Sequence, residues 1–249
     1  MSLTDHPPRI EVHPDSATLA TAIAGELLNR IGDAQAAGHV PQIGLTGGTI
    51  AEAVHREIAR LSPASGVDWG AVEFWFGDER FVPADSPERN ARQAREAFLD
   101  AVGASRVHAA PASDEVADVE AAAAAYQAEV EAHGAGGFDI LMLGVGPDGH
   151  IASLFPHHAG LDVVDATIAP VRDSPKPPPE RVTFTFEALR RSRAVWFLVS
   201  GEGKAGAVAR ALAPEGSREG ATVRDTPARG VVGEQETLWF LDHDAASLL

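Results

Sequence analysis

The feature that most constrains this chain is a set of short runs that are apolar at nearly every position: FDILMLGVG at 138–146, AVWFLVSG at 194–201 and TLWFLD at 237–242. A strand with one face in water alternates apolar and polar side chains. A strand that does not alternate must be covered on both faces. Segments of helical period separate these runs, and the combination predicts an α/β protein built on a mostly parallel sheet with helices on both faces. At 249 residues the chain is within reach of one α/β domain spanning 1–249.

Several elements can be placed from pattern alone. Leu19, Ile23, Leu27 and Ile31 share one helical face, with Asp15 or Ser16 available to cap it. HVPQIGLTGG reads as a strand entering a glycine turn, after which Ile50, Val54, Ile58 and Leu61 resume helical spacing. VEFWFGDE (Val72–Glu79) is expected to be one strand, Glu88–Leu99 a helix, the alanine-rich stretch Ala121–Val130 a helix, and AGAVARAL another. SPKPPPE (Ser174–Glu180) cannot be helical and is expected to be a surface loop before RVTFTF.

Composition narrows function by exclusion. The formal charge of −16 repels nucleic acid and anionic membranes, so neither is expected as a partner. An anionic small molecule would need a few cations gathered locally, which makes Arg80, Arg181 and Lys204 worth following. With no cysteine there is no disulfide, thiolate metal site or cysteine nucleophile. The N-terminal MSLTDHPPRIEV has no apolar core of a signal peptide, and no apolar run approaches the ~20 residues of a membrane helix. These features together lead to the expectation of a soluble, cytoplasmic protein.

In open α/β sheets ligands sit beyond the carboxyl ends of the strands. Four strand ends carry polar residues: TGGT (Thr46, Gly47, Gly48, Thr49), GDER (Gly77–Arg80, including Asp78), GVGPDGH (Gly144–His150) and SGEGK (Ser200–Lys204). TGGT between strand and helix offers free backbone N–H groups and a helix dipole to a phosphate, or is simply a tight turn with a threonine cap. Lys204 at a helix start is a candidate phosphate ligand, and on spacing alone is equally a solvated lysine. Asp148 and His150 share a tight glycine loop, where a carboxylate can orient an imidazole facing a cleft; the plain alternative is a surface histidine in a turn.

Other readings of these residues fail. GVGPDG matches G-x-G-x-x-G, but Pro147 removes a backbone donor and Asp148 would repel a pyrophosphate. SGEGKAG lacks P-loop spacing. His150, His157 and His158 fit no zinc pattern, so no metal is expected there, and no G-x-S-x-G elbow marks a serine nucleophile.

Taken in order, LTGGT, FWFGDERFVP, SPERNARQARE, ILMLGVGPDGHIASLFP, PPPERVTFTF and SGEGKAGAV resemble the glucosamine-6-phosphate isomerase/6-phosphogluconolactonase family, and the lactonase branch in particular. The resemblance implies a Rossmann-like fold and hydrolysis of 6-phosphoglucono-1,5-lactone in the oxidative pentose phosphate pathway, with no cofactor. Carried over by position, it implies that Thr46 to Thr49 and Lys204 hold the phosphate and that Arg80 meets an anionic or oxyanionic end of the substrate. Asp78, Asn90 and Arg181 join the binding candidates, His150 is the base, and Asp148 supports it. Two departures stand out: Ile50-Ala51 follow Thr49 where the family has Ser-Thr-Pro, and Ile151 after the histidine resembles the isomerase branch.

Two competing functions follow from the same resemblance. An amino-sugar phosphate isomerase/deaminase should carry an acidic residue soon after the histidine loop, where this chain has Leu154-Phe155-Pro156. A non-catalytic sugar-phosphate sensor should carry a DNA-binding module, and the chain enters its first βα unit almost at once. The expectation is therefore a lactonase acting on a small phosphorylated sugar lactone, as a monomer or weak homodimer.

Overall fold

The computed structural model describes residues 7–134, 136–214 and 222–249. Its strands are β1 (Arg9–His13), β2 (Gln42–Leu45), β3 (Glu73–Phe76), β4 (Asp78–Arg80), β5 (Arg106–His108), β6 (Ile140–Gly144), β7 (Ile168–Val171), β8 (Arg181–Phe184), β9 (Ala194–Val199) and β10 (Glu236–Asp242). Seven form a main sheet in the order β1-β10-β9-β6-β2-β3-β5. All of its pairings are parallel. The helices are α1 (Ser16–Ala36), α2 (Thr49–Leu61), α3 (Asn90–Ala94), α4 (Asp100–Val102), α5 (Val119–Ala132), α6 (Phe186–Leu189) and α7 (Ala205–Leu212).

The unbroken apolar runs have the consequence their pattern implies. Phe74, Phe76, Met142, Trp196, Leu198 and Phe240 pack into one core with α1 and α2. Their neighbours Trp75, Leu141, Leu143, Phe197, Val199 and Trp239 pack into a second core with α5 and α7. All six residues of β9 are buried, and each large side chain removed from water contributes about 1.5–3 kcal/mol. α1 begins where expected: the Asp15 carboxylate accepts from Thr18 N at 2.8 Å.

Two expectations need correction. Val72–Glu79 is not one strand. β3 ends at Phe76, and β4 leaves to form a small antiparallel sheet in the order β4-β8-β7. Gly77 is the junction: its N–H donates to Leu45 O (3.0 Å) in the main sheet, and its carbonyl accepts from Phe184 N (3.0 Å) in β8. Glu88–Leu99 is not one regular helix either. It starts at Asn90, because the buried Glu79 carboxylate accepts from Asn90 N (2.8 Å) and Ala91 N (2.9 Å). It then widens to a π-helical turn at Arg95–Leu99 that brings Phe98 and Leu99 into the core. Strands β1, β5 and β7 carry no strong pattern of their own; β1 and β5 are short edge strands with exposed positions.

Candidate active site

The strand ends converge on a cavity of about 510 Å³ lined by all four motifs. Thr46, Gly47, Gly48 and Thr49 line it from the turn between β2 and α2. Gly48 is the N-cap of α2 at φ 101°, a left-handed conformation that favours glycine, and no side chain caps the helix. Thr49 is the first helical residue and does not act as the cap. α1 and α5, by contrast, are capped by Asp15 and Asp118. The first N–H groups of a 13-residue helix are thus left facing the cavity, with the positive end of its dipole behind them.

His150 lines the same cavity from the loop after β6. Asp148 stands behind it, with Oδ1 2.6 Å from Nδ1, and Phe155 packs on the ring at 4.7 Å between centroids. The glycines of this loop serve the imidazole. A Cβ at Gly146 would lie 2.0 Å from His150 Nδ1, and Gly149, at φ 92°, would collide with Thr226. Gly146 N donates to His150 O at 2.9 Å, which closes the turn.

Lys176 completes this group and is absent from the sequence-based candidates. Its Nζ lies 3.2 Å from Asp148 Oδ1 and 3.0 Å from His150 Nδ1. An ionised carboxylate needs Nδ1 as a donor, so the ammonium is paired with Asp148 and Nδ1 keeps its proton. SPKPPPE is therefore a loop that reaches the His150 loop through Lys176, behind the residues that line the cavity. Its one cue was a lone lysine in a proline run, with nothing local to say which way it points. Burial pulls the Asp148 carboxyl up, but the hydrogen bond and charge of His150, with Lys176 beside them, hold it well below the usual carboxylate range.

The remaining candidates divide by what they already bind. Arg80 Nη1 donates to Asn90 Oδ1 (2.5 Å) and Glu88 O (2.9 Å). Asn90 Nδ2 donates to Asp78 O (2.8 Å), and Asp78 Oδ2 accepts from Ser153 Oγ (2.6 Å). Asp78 and Asn90 thereby hold the arginine in place. Arg181 is buried over the Phe155 ring, and its donors reach the carbonyls of Lys176, Pro177 and Pro178, which orders the lysine loop. The Lys204 backbone N–H donates to Gly201 O (3.0 Å), while its ammonium has no hydrogen-bond or ion-pair partner among the described residues. Burial, and then the charge of Lys176, lower its pKa, opposed by Asp148. Asp242 fixes the turn before it, accepting from Ser200 Oγ (2.5 Å) and Gly201 N (3.0 Å).

Arg80, Arg181 and Lys204 thus surround one hollow in a chain of net charge −16. Together with the exposed helix terminus and an oriented imidazole, they define an α/β protein with an anion-binding cleft equipped for proton transfer. The family model for glucosamine-6-phosphate isomerases/6-phosphogluconolactonase matches residues 14–239, and the chain belongs to that family. It is 45% identical to a 6-phosphogluconolactonase of Streptomyces coelicolor over 97% of this chain and 95% of the relative. It is also 45% identical to one of Mycobacterium tuberculosis over 96% of this chain and 98% of the relative. The solved 6-phosphogluconolactonase of Trypanosoma brucei superposes with a TM-score of 0.82 at 27% identity, covering 98% of this chain and 100% of that one. Among the described residues no helix is long and apolar enough to cross a membrane.

Proposed function

We propose that this chain hydrolyses 6-phospho-D-glucono-1,5-lactone to 6-phospho-D-gluconate, the lactonase step of the oxidative pentose phosphate pathway. In this reading it acts as one cytoplasmic α/β domain, monomeric or weakly dimeric, without cofactor or nucleic acid. The supporting observation is that a carboxylate-oriented imidazole, an uncapped helix N-terminus and a lysine whose ammonium has no partner among the described residues line a single cavity.

With Nδ1–H held by Asp148, the lone pair of His150 is on Nε2. That atom takes a proton from water as the oxygen attacks C1 of the lactone. The tetrahedral adduct collapses by breaking the bond from C1 to the ring oxygen, and the imidazolium returns its proton to that oxygen as it leaves. The free acid then ionises. The phosphate is assigned to the N–H groups of the Thr46–Thr49 turn and to Lys204, and Arg80 to an anionic or oxyanionic end. Binding the remote phosphate orients C1 against the base, so binding energy is converted into rate.

An amino-sugar isomerase is disfavoured because no acidic side chain other than Asp148 contacts His150 among the described residues, and Leu154 and Phe155 are buried where the acid should stand. The test is an assay with freshly made 6-phosphoglucono-1,5-lactone coupled to a dehydrogenase that oxidises the product, with glucosamine 6-phosphate as control. Turnover of the lactone is expected. Turnover of the amino sugar alone would overturn the assignment.

A further inference from the structure

A second cluster of chemistry-bearing side chains lies at the sheet edge, formed by residues that do not line the active-site cavity. His108 ends the edge strand β5, and Glu129 and His133 lie one turn apart at the C-terminal end of α5. One ligand atom from each falls within 4.8 Å of the other two. Glu129 Oε1 is 2.6 Å from His108 Nδ1 and 3.4 Å from His133 Nε2.

The surroundings of His108 are those of a metal ligand. Its ring stacks on Trp75 at 4.0 Å and 14°, which fixes its plane. Its other nitrogen, Nε2, lies 2.7 Å from Glu73 Oε2, and Arg106 holds that carboxylate at 3.1 Å. A carboxylate on the far nitrogen of a histidine sets the tautomer and raises the basicity of the metal-facing nitrogen. Both His108 nitrogens face carboxylates, so both contacts are hydrogen bonds only while the ring carries two protons. A divalent cation bonded at Nδ1 replaces one of those protons and leaves Nε2–H on Glu73. The last carbonyls of α5 and the negative charge of the chain favour a cation at this point.

We propose that His108, Glu129 and His133 form a binding site for a late first-row divalent cation of the zinc type, which ties β5 to the end of α5. A tetrahedral zinc needs its ligand atoms about 3.3 Å apart. Glu129 and His133 are part-exposed to exposed, so both are free to turn toward that spacing, whereas His108 is buried and preset. Two imidazoles and a carboxylate leave a fourth position for water. The donor set suits zinc, cobalt or nickel and does not suit calcium or magnesium.

The test is calorimetric titration of the chelator-stripped full chain with ZnCl₂ alone at neutral pH, with CoCl₂ as an absorbance probe. One site is expected in the wild type. His133→Ala and Glu129→Gln should each weaken it by at least about tenfold, and Glu73→Gln by roughly 10–100-fold. His150→Asn should bind as the wild type does, which separates this site from the active-site histidine. At zinc concentrations near the wild-type dissociation constant, zinc should raise the melting temperature of the wild type clearly more than that of His133→Ala. Because His133 is half-exposed, its truncation is a fair test without loss of fold, verified by circular dichroism. Absence of zinc binding to the wild type would overturn the proposal. So would binding that survives both His133→Ala and Glu129→Gln, or binding lost only in His150→Asn.

Discussion

The side-chain carbonyl of Asn90 rests directly on Gly47: a Cβ added at Gly47 would lie 2.0 Å from Asn90 Oδ1. The same oxygen accepts from Arg80 at 2.5 Å. The glycine turn at the head of α2 and the arm carrying Arg80 are therefore fitted to one another.

Gly47→Ala should act through that contact. The methyl group displaces Asn90 and with it the partner that positions Arg80, so the guanidinium forfeits a charge-assisted contact to the substrate worth roughly 1.5–3 kcal/mol. The expected result is a rise in KM of one to two decades for the lactone. Steady-state kinetics check it, and an unchanged KM would show that Arg80 does not depend on this packing.

Asp148→Asn should be nearly as damaging as His150→Ala. An amide presents an N–H to Nδ1, so the imidazole proton moves to Nε2 and the cavity-facing lone pair is lost. Both variants should lower kcat by about 10²–10⁴ with a far smaller change in KM. Full turnover in either variant would remove histidine from the role of base.

Lys176→Met removes a cation from Asp148 and leaves the imidazole contact in place. The Asp148 carboxyl should then titrate higher than it does beside the ammonium, because a positive neighbour favours its charged form. The upward move should appear in the carboxyl titration of Asp148 followed by NMR in the variant and the wild type. A carboxyl titration that stays where it is in the wild type would show that Lys176 shapes the loop without acting on Asp148.

His55 predicts how stability depends on pH. It is buried beside Phe98 at 4.8 Å, and burial lowers its pKa from 6.5 to about 4. The unfolded chain takes up a proton below 6.5 while the native ring stays neutral. Stability that is fully present above 6.5 is therefore lost as the pH falls toward 4, to a total of about 3 kcal/mol. Urea unfolding at both ends of that window should show a smaller loss in His55→Leu than in the wild type. Equal losses in the two proteins would exclude His55 as the source.

Much of this protein was readable from local pattern. The unalternating runs in β6, β9 and β10 required cover on both faces, and that alone implies a parallel sheet between helical layers. The strand-end motifs marked Thr46, Arg80, His150 and Lys204, because in such sheets the loops beyond the carboxyl ends are where side chains meet. Three-dimensional packing decided the rest. The split of Val72–Glu79 at Gly77 depends on hydrogen bonds to Leu45 and Phe184, both distant in sequence. Lys176 reaches His150 across 26 positions and the small sheet, and His108 joins Glu129 only because β5 lies beside Trp75. Periodicity reports what one segment must bury, whereas which side chains share a proton, an anion or a cation depends on contacts between segments.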